Sequence, residues 1–597
     1  MTKRIEHTDV LVIGAGVTGL AATMLLHEQG VRSLTIAKHP GPAPQPRAHI
    51  TNQRTIEIFR DLDMEEEVTE AGTPLQSVDN TVFATSFAGP ELVRLRSYGS
   101  GPRLSDYLEG SPCPPLNVPQ HVLEPIMLGG ARSRGADVRF NHEMTALEQT
   151  EDEVVAQVRN RESGEVYEIR AQYSIGADGG RSQVAESNGI SFAGEGSLMH
   201  MVNAWLEVDL ERFTAHRPGV IYAMMQPGVD SWVGSGSFVM VRPWKEWVLV
   251  RQYDPSAGDP DLSDEAVTAA VRALVGDPDI EVKVKGTSKW QVNNMVAERY
   301  RSGRVFLAGD AAHRHNPSGG LGTNTSIQDA YNLAWKLAFV VKGHARPGLL
   351  NSYHDERHPV GEQVLDRAMR SLQSMGKIAA ALGIRPGQTA EEGWAALEEL
   401  ASDADGAEER RADLSRAVGL LNYRSNAQGV ELGQRYVSDA VVGDGTPFPV
   451  SERDPELYYE PTTHPGAYLP HAWVERHRER VSTLDLAGHG RFCLIVGVGG
   501  EPWKGAAREV AAELGIELPV FAVGYRCEYD DVLAQWARVR EIDDRGALLV
   551  RPDRHVAWRS MSRPASPREA LASALRTILD RGVGAHQSST DGHVTAR

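Results

Sequence analysis

One spacing constrains this chain more than any other feature: Gly14-Ala15-Gly16-Val17-Thr18-Gly19, set between the apolar run Asp9-Val10-Leu11-Val12-Ile13 and a second apolar stretch over residues 20–26. Strand, tight turn and helix in that order open a dinucleotide-binding unit. Gly14 permits the turn, Gly16 lets backbone approach a pyrophosphate, and Gly19 lets the helix pack closely on the strand. The helix N-terminus then offers unpaired N–H groups and partial positive charge to phosphates. An acid holding the ribose hydroxyls is expected about 20 residues further on. Ala37 stands there instead, in Leu34-Thr35-Ile36-Ala37-Lys38-His39, which leaves backbone groups or Lys38 to hold the ribose.

Two further motifs follow. Gly176-Ala177-Asp178-Gly179 and Gly309-Asp310 each put an acid and a glycine directly after an apolar run. A carboxylate there can accept hydrogen bonds from a polyol, and a glycine lets the chain pass close to a ligand. The last motif runs into Pro317-Ser318-Gly319-Gly320-Leu321-Gly322-Thr323-Asn324 and then a helix with Ile327, Ala330, Leu333, Ala334, Leu337 and Val341 at helical spacing. The N–H groups at its start suit the negative charge of a reduced flavin. One motif suggests a dinucleotide; three in this order suggest FAD, whose pyrophosphate, ribityl chain and ring need separate pieces of backbone.

With 597 residues the chain can bury a large core in several domains. A net charge of −18 argues against a nucleic-acid partner. Cys113, Cys493 and Cys527 lack the paired spacing of a disulfide framework or zinc site. A flavoprotein disulfide reductase needs a dithiol, and Cys113 is single. His313 and His315 alone make a weak metal pair, so no metal is expected. The first strand starts too early for a signal peptide, and no apolar run reaches membrane-spanning length. A cytoplasmic enzyme without a membrane partner is expected.

The motif positions predict an α/β chain: a Rossmann-like FAD-binding domain over residues 1–385, interleaved with a β-sheet substrate domain inserted at about 191–294. Within that insert, residues 232–241 and 246–251 read as strands. An acidic helical segment over 389–414 lies in a linker at 386–439. A last domain at 440–582 alternates strand and helix: 491–497, 503–514, 518–523 and 546–553. Residues 583–597 read as a flexible polar tail.

Longer stretches carry a family resemblance: Pro46-Arg47-Ala48-His49-Ile50-Thr51-Asn52-Gln53-Arg54-Thr55, Leu116-Asn117-Val118-Pro119-Gln120-His121-Val122-Leu123-Glu124-Pro125, Val241-Arg242-Pro243-Trp244, and residues 309–337. Over nearly its whole length the chain resembles the FAD-dependent aromatic hydroxylases of the p-hydroxybenzoate hydroxylase fold, in their phenol-hydroxylating branch. The resemblance implies NADPH or NADH as electron donor, O2 as co-substrate, and ortho-hydroxylation of a small phenolic substrate through a flavin C4a-hydroperoxide. It implies a thioredoxin-like C-terminal domain, here without the Cys-x-x-Cys of a redox thioredoxin, and a homodimer or higher homo-oligomer. Loss of the ribose acid is tolerated in that branch.

The same resemblance assigns residues. His49 is the expected base, imidazole titrating in a range useful for a phenol, and Pro317 packs at the reactive edge of the flavin. Cofactor contacts are expected from Gly14, Gly16, Gly19, Lys38, Arg47, Gln120, Asp178, Gly179, Gly309, Asp310, Pro317, Gly320, Leu321, Gly322 and Asn324. Arg242 is expected at the nicotinamide cofactor, where a guanidinium suits phosphate. Hydroxylases of aromatic polyketides share the three motifs, and a flavin-binding regulatory protein without monooxygenase activity is the reading from another class.

Overall fold

A computed structural model describes residues 4–229, 231 and 233–582. The expected tail at 583–597 lies outside the described residues, as does Trp232 of an expected strand. Val10, Leu11 and Val12 are fully buried, as a strand covered on both faces requires. Their strand, Ile5–Ile13, pairs in parallel with Ser33–Ala37 on one side and Val166–Gly176 on the other, and Val166–Gly176 pairs in parallel with Val305–Leu307. Ile13 lies beside Gly176, and Gly176 beside Leu307. Three motifs spread over some 300 residues of sequence therefore meet at the carboxyl ends of three adjacent strands, where open parallel sheets bind ligands. Strands Asp137–Phe140, Arg301–Ser302, Val154–Asn160 and His142–Gln149 complete this eight-stranded sheet. Helices Val17–Glu28 and Gly322–Val341 pack against each other.

The second sheet has eight strands in the order His313–Arg314, Lys283–Ala297, Phe192–Glu207, Glu246–Tyr253, Gly236–Arg242, Gly219–Met224, Asn80–Ala84 and Glu91–Arg96. The expected insertion at 191–294 is thus incomplete. Residues 80–96 join the sheet through a parallel pairing of Asn80–Ala84 with Gly219–Met224. The strand expected from 232 starts at Gly236. A small three-stranded sheet, Ile50–Thr51, Leu116–Asn117 and Thr73–Pro74, lies beside these layers and carries the segment that follows His49.

Residues 386–439 are not a spacer. Thr389 and Glu392 form a capping box that starts helix Ala390–Leu400, and a second helix spans Ala407–Leu420. Leu400, Ala417 and Leu421 are buried with Phe83, Ala223 and Met225 of the second sheet. The segment packs onto the second sheet, covering apolar residues on that sheet's outer face.

The last region forms a seven-stranded mixed sheet, with Cys493–Val496 parallel to Val520–Gly524 and antiparallel to Ala547–Val550. Helices Glu501–Leu514 and Pro567–Ile578 pack together beside it. Phe492 meets Trp335 and Phe339 of the long helix edge-on, both with centroids 5.5 Å apart, so the sheet docks on the back of the helix whose front follows the third motif. The strand expected over 546–553 stops at Val550. Arg551, Asp553 and Arg554 turn into the protein and are at most 1 % exposed.

Candidate functional site

Each glycine of the first motif is required for its own reason. Gly14 has φ +113°, and a Cβ there would lie 2.1 Å from the carbonyl oxygen of Ala177. At Gly19 a Cβ would lie 1.8 Å from the carbonyl oxygen of Gly14. The turn, the second motif and the helix are therefore locked together without side chains. A Cβ on Gly16 would meet nothing closer than Glu124 Oε1 at 3.6 Å, so the space before the helix is open. Gly16 is the N-cap and supplies no side-chain cap, leaving the first N–H groups of the helix for a ligand. These features fit the pyrophosphate of FAD.

Sequence reading missed Glu124. Gln120 Nε2 donates to its Oε1 at 2.6 Å, and the Ala43 N–H donates to its Oε2 at 2.5 Å. Gln120, expected at the ribityl chain, is thus tied back to its own helix. Ala37 is buried, and half-buried Lys38 has no ion pair among the described residues.

In the second motif, Asp178 Oδ1 accepts from the Ser182 hydroxyl at 2.6 Å and Oδ2 from the Val184 N–H at 3.2 Å, which ties it to the start of helix Gln183–Ser187, whose N-cap is Ser182. Gly179, at φ +81° with open space around its Cβ position, keeps the approach clear.

At the third motif, Asp310 retains accessible surface while burial pushes its carboxyl up, and the neighbouring Arg314 and Arg47 guanidiniums pull it back. Arg47, exposed and two residues before His49, lies close enough to Asp310 to stabilise its carboxylate. Gly309 has φ +62° and a Cβ there would meet Thr18 Oγ1 at 2.3 Å. Its N–H donates to Asp329 Oδ2 at 3.0 Å, and the same oxygen pairs with His313 Nε2 at 2.7 Å. Arg357 Nε donates to Asp329 Oδ1 at 2.8 Å. Asp329 and Arg357 had no sequence signal beyond helical spacing. His313 is therefore the partner of a buried carboxylate, and no cluster of three or more His, Cys, Asp or Glu suited to a metal occurs among the described residues.

Asn324 is a clasp. Its Oδ1 accepts from the Asn52 N–H at 3.0 Å, and its Nδ2 donates to the carbonyls of Ile50 at 2.9 Å and Gly320 at 2.6 Å. Both amide hydrogens go to protein carbonyls, which fixes the His49 segment against the glycine loop. Gly320, at φ +67°, touches Ile50 across that join. Pro317 is exposed, and its carbonyl accepts from the Gly320 N–H at 3.2 Å. Leu321 is 2 % exposed and packs with Val360, Val364 and Val430, while Gly322 begins the helix.

His49 keeps some accessible surface, yet its Nδ1 is buried and makes no hydrogen bond. Burial, and then the neighbouring His121, pull its pKa down to about 4 against a backbone contact from Met240 that favours protonation. Expected to titrate in a range useful for a phenol, this imidazole is instead held neutral to lower pH by desolvation. Asn117 Nδ2 donates to the Met240 carbonyl at 3.2 Å, and Asn117 Oδ1 is buried without a partner.

Arg242 stands apart, 74 % exposed. Its Nε donates to Glu246 Oε2 at 2.5 Å, while Glu246 Oε1 accepts from Lys285 Nζ at 2.6 Å and Trp205 Nε1 at 2.7 Å. Cys113, Cys493 and Cys527 are all free; burial raises each thiol, Cys493 to about 12. No helix among the described residues is long and apolar enough to cross a membrane.

The chain matches an FAD binding domain family over residues 7–368 and an aromatic-ring hydroxylase C-terminal family over 462–582. It is 45 % identical to 2,4-dichlorophenol 6-monooxygenase of Delftia acidovorans, covering 96 % of this chain and 98 % of the relative. Identity to phenol 2-monooxygenase of a Pseudomonas strain is 41 %, over 96 % and 93 % of the two chains. A putative polyketide hydroxylase of Streptomyces halstedii is 34 % identical, over 97 % and 98 %. Among solved structures, the flavin-dependent monooxygenase PieE in complex with FAD and substrate superimposes with a TM-score of 0.93 at 44 % identity, covering 96 % of this chain and 99 % of that one.

Proposed function

From the premise that the chain belongs to the FAD-dependent aromatic-ring hydroxylases, we propose that it hydroxylates a small phenol beside the ring hydroxyl and that His49 receives the phenolic hydrogen bond. One observation carries the reading: the orphaned Nδ1 of His49, on a segment clasped to the Gly320 loop by Asn324. A buried acceptor without a donor calls for one from a ligand. When bound, FAD supplies the hydride acceptor and the activation of O2. The protein supplies the rest. Met240 favours the imidazole tautomer with its proton away from Nδ1, so Nδ1 takes the hydrogen bond of a neutral phenol and raises electron density on the ring. Desolvation of the His49 imidazole marks an environment poor in water around that ring. Gly14, Gly16 and Gly19 hold the pyrophosphate, Gly179, Gly309 and Asp310 the ribityl region, and Arg47 and Pro317 the ring edge. The higher identity to phenol and dichlorophenol monooxygenases than to polyketide hydroxylases favours a one-ring substrate. A screen of substituted phenols for stimulated NAD(P)H oxidation, with products identified by mass, tests this reading; no stimulation by any phenol overturns it.

The remaining assignments belong to the same reading. The C-terminal sheet is a thioredoxin-like module without a dithiol, with a docking rather than redox role, in a cytoplasmic homo-oligomer. Asp310→Ala is expected to weaken FAD affinity at least tenfold, read by titrating apoprotein with FAD; an unchanged dissociation constant removes Asp310 from the cofactor site. Arg242→Ala is expected to raise KM for NAD(P)H several-fold with kcat little changed, the pattern of lost ground-state binding. Equal kinetics would leave Arg242 as no more than the exposed partner of Glu246.

A further inference from the structure

Tyr98 adopts a left-handed backbone, φ +53°, which a bulky residue takes only when its surroundings impose it. What imposes it is the short helix Asn422–Ser425. The Tyr98 N–H donates to the Ser425 carbonyl at 2.8 Å, the Gly99 N–H to Asn426 Oδ1 at 3.0 Å, and Asn426 Nδ2 to the Arg96 carbonyl at 3.3 Å. This clamp sets the Tyr98 ring into the cluster that holds Ile50 of the His49 segment and Met224 and Met240 of the second sheet. It also brings the next side chain, Arg424, beside it. The Arg424 carbonyl lies 3.6 Å from the Cβ position of Gly319 in the Pro317 loop.

Arg424 has no carboxylate partner among the described residues; its guanidinium meets Met375 Sδ at 2.9 Å, a weak acceptor. Burial lowers its pKa and Tyr98 is the polar neighbour that raises it, but a guanidinium remains charged. The Tyr98 hydroxyl makes no hydrogen bond among the described residues, and burial pushes it up to about 12, so it remains a donor. Glu431 is the acid that acts on Tyr98; it faces Arg367, Asn52 and Arg103 and is itself pushed up to about 7 by burial. A cation and a hydroxyl thus stand together, both donors, between the flavin loop and the substrate sheet. Groups placed so lack one partner, an anionic oxygen.

We propose that Arg424 and Tyr98 form a receptor for an anionic oxygen on the aromatic substrate. The assignment rests on the monooxygenase reading above and adds a specificity determinant to it. The oxygen belongs either to a carboxylate substituent or to the ionised ring hydroxyl. Where the anion is a carboxylate, Arg424 sets which molecules bind while His49 acts on the neutral ring hydroxyl; an ionised ring oxygen needs no proton acceptor, and Arg424 and Tyr98 then hold it in place of His49.

The test uses holoenzyme without NAD(P)H, so that no turnover occurs, and reads dissociation constants from the perturbation of flavin absorbance. Two pairs of ligands distinguish the sources: 3-hydroxybenzoate against 3-hydroxybenzamide, and 2,4-dichlorophenol against 2,4-dichloroanisole at alkaline pH. Wild type is expected to favour the anion of at least one pair by about 10-fold or more. Preference in the first pair identifies a carboxylate; preference in the second alone identifies the ring oxygen. Arg424→Met should erase the preference and leave the neutral ligand's affinity unchanged, Arg424→Lys should keep part of it, and Tyr98→Phe should reduce it. Flavin content and melting temperature report folding, and if Arg424→Met fails to fold, the Lys and Phe variants decide. No anion preference in wild type, or one that survives loss of the guanidinium, overturns the proposal. Because binding is read without chemistry, failure of phenol hydroxylation leaves this result standing and counts against the monooxygenase reading alone.

Discussion

His49→Asn protein is expected to keep FAD and accept hydride from NAD(P)H, yet form hydroxylated product about 10²- to 10⁴-fold more slowly, the usual range for losing a positioned proton acceptor. Reduction needs no activated phenol; oxygen transfer does. Electrons then leave as hydrogen peroxide, and peroxide released per NAD(P)H consumed rises toward one. The pH dependence carries further information. The folded pKa of His49 lies below its ordinary value, at about 4, so the neutral acceptor dominates above that pH and is lost only as pH falls through it. Wild type should therefore show no acid limb near 6.5 from this residue. So weak a base does not take the phenolic proton outright; it shares it through a hydrogen bond, and an alkaline medium can substitute by ionising the phenol. The defect in the variant should shrink as pH approaches the pKa of the phenol. Peroxide yield and product across pH, for wild type and variant, decide the matter: loss of flavin or fold at every pH indicates a structural role, and an unchanged coupling ratio removes His49 from the chemistry.

Glu356→Gln is expected to cost about 3–5 kcal/mol, the range for breaking a buried ion pair by removing one partner. Glu356 is about 1 % exposed. Its Oε1 accepts from Arg551 at 2.5 Å and Ser438 at 2.6 Å, and its Oε2 from Lys336 at 2.6 Å, Asn332 at 2.7 Å and Arg551 at 2.8 Å. Burial works against the carboxylate, but Arg551 and then Lys336 more than offset it and hold the carboxyl at about 2. The folded pKa is depressed, so this stabilisation is present above the unfolded value near 4.5 and is lost as pH falls through about 2. The gap between wild type and variant should be full at pH 7 and close in acid. Because Arg551 directly follows strand Ala547–Val550 of the C-terminal sheet and Arg357, next to Glu356, holds Asp329 under Gly309, the variant should both loosen that sheet to limited proteolysis and weaken FAD. Melting and FAD titration at pH 7 and in acid check this; an unchanged melting temperature contradicts it.

The contrast between motif and network shows what sequence carries. The glycine motifs were legible because their physics is local: Gly14 must be glycine for its φ and for Ala177, and strand runs beside such turns say where the ligand lies. Side-chain partners were not legible. Nothing near Asp178 in sequence announces its tie to the start of helix Gln183–Ser187, and nothing near Asn324 announces Ile50. Residues 80–96 joined the second sheet through pairing with a strand about 140 residues away, a choice set by tertiary packing rather than local pattern. The His49 pKa likewise depends on burial that composition does not reveal.

Holoenzyme incubated with NAD(P)H, a phenol that stimulates its oxidation, and ¹⁸O-labelled dioxygen tests the central claim most directly, by mass spectrometry of the product. The expected product is ortho-hydroxylated and catechol-like and carries one ¹⁸O atom from the gas. A product whose new oxygen comes from water, or FAD-loaded protein that forms no hydroxylated product from any phenol, would contradict that claim.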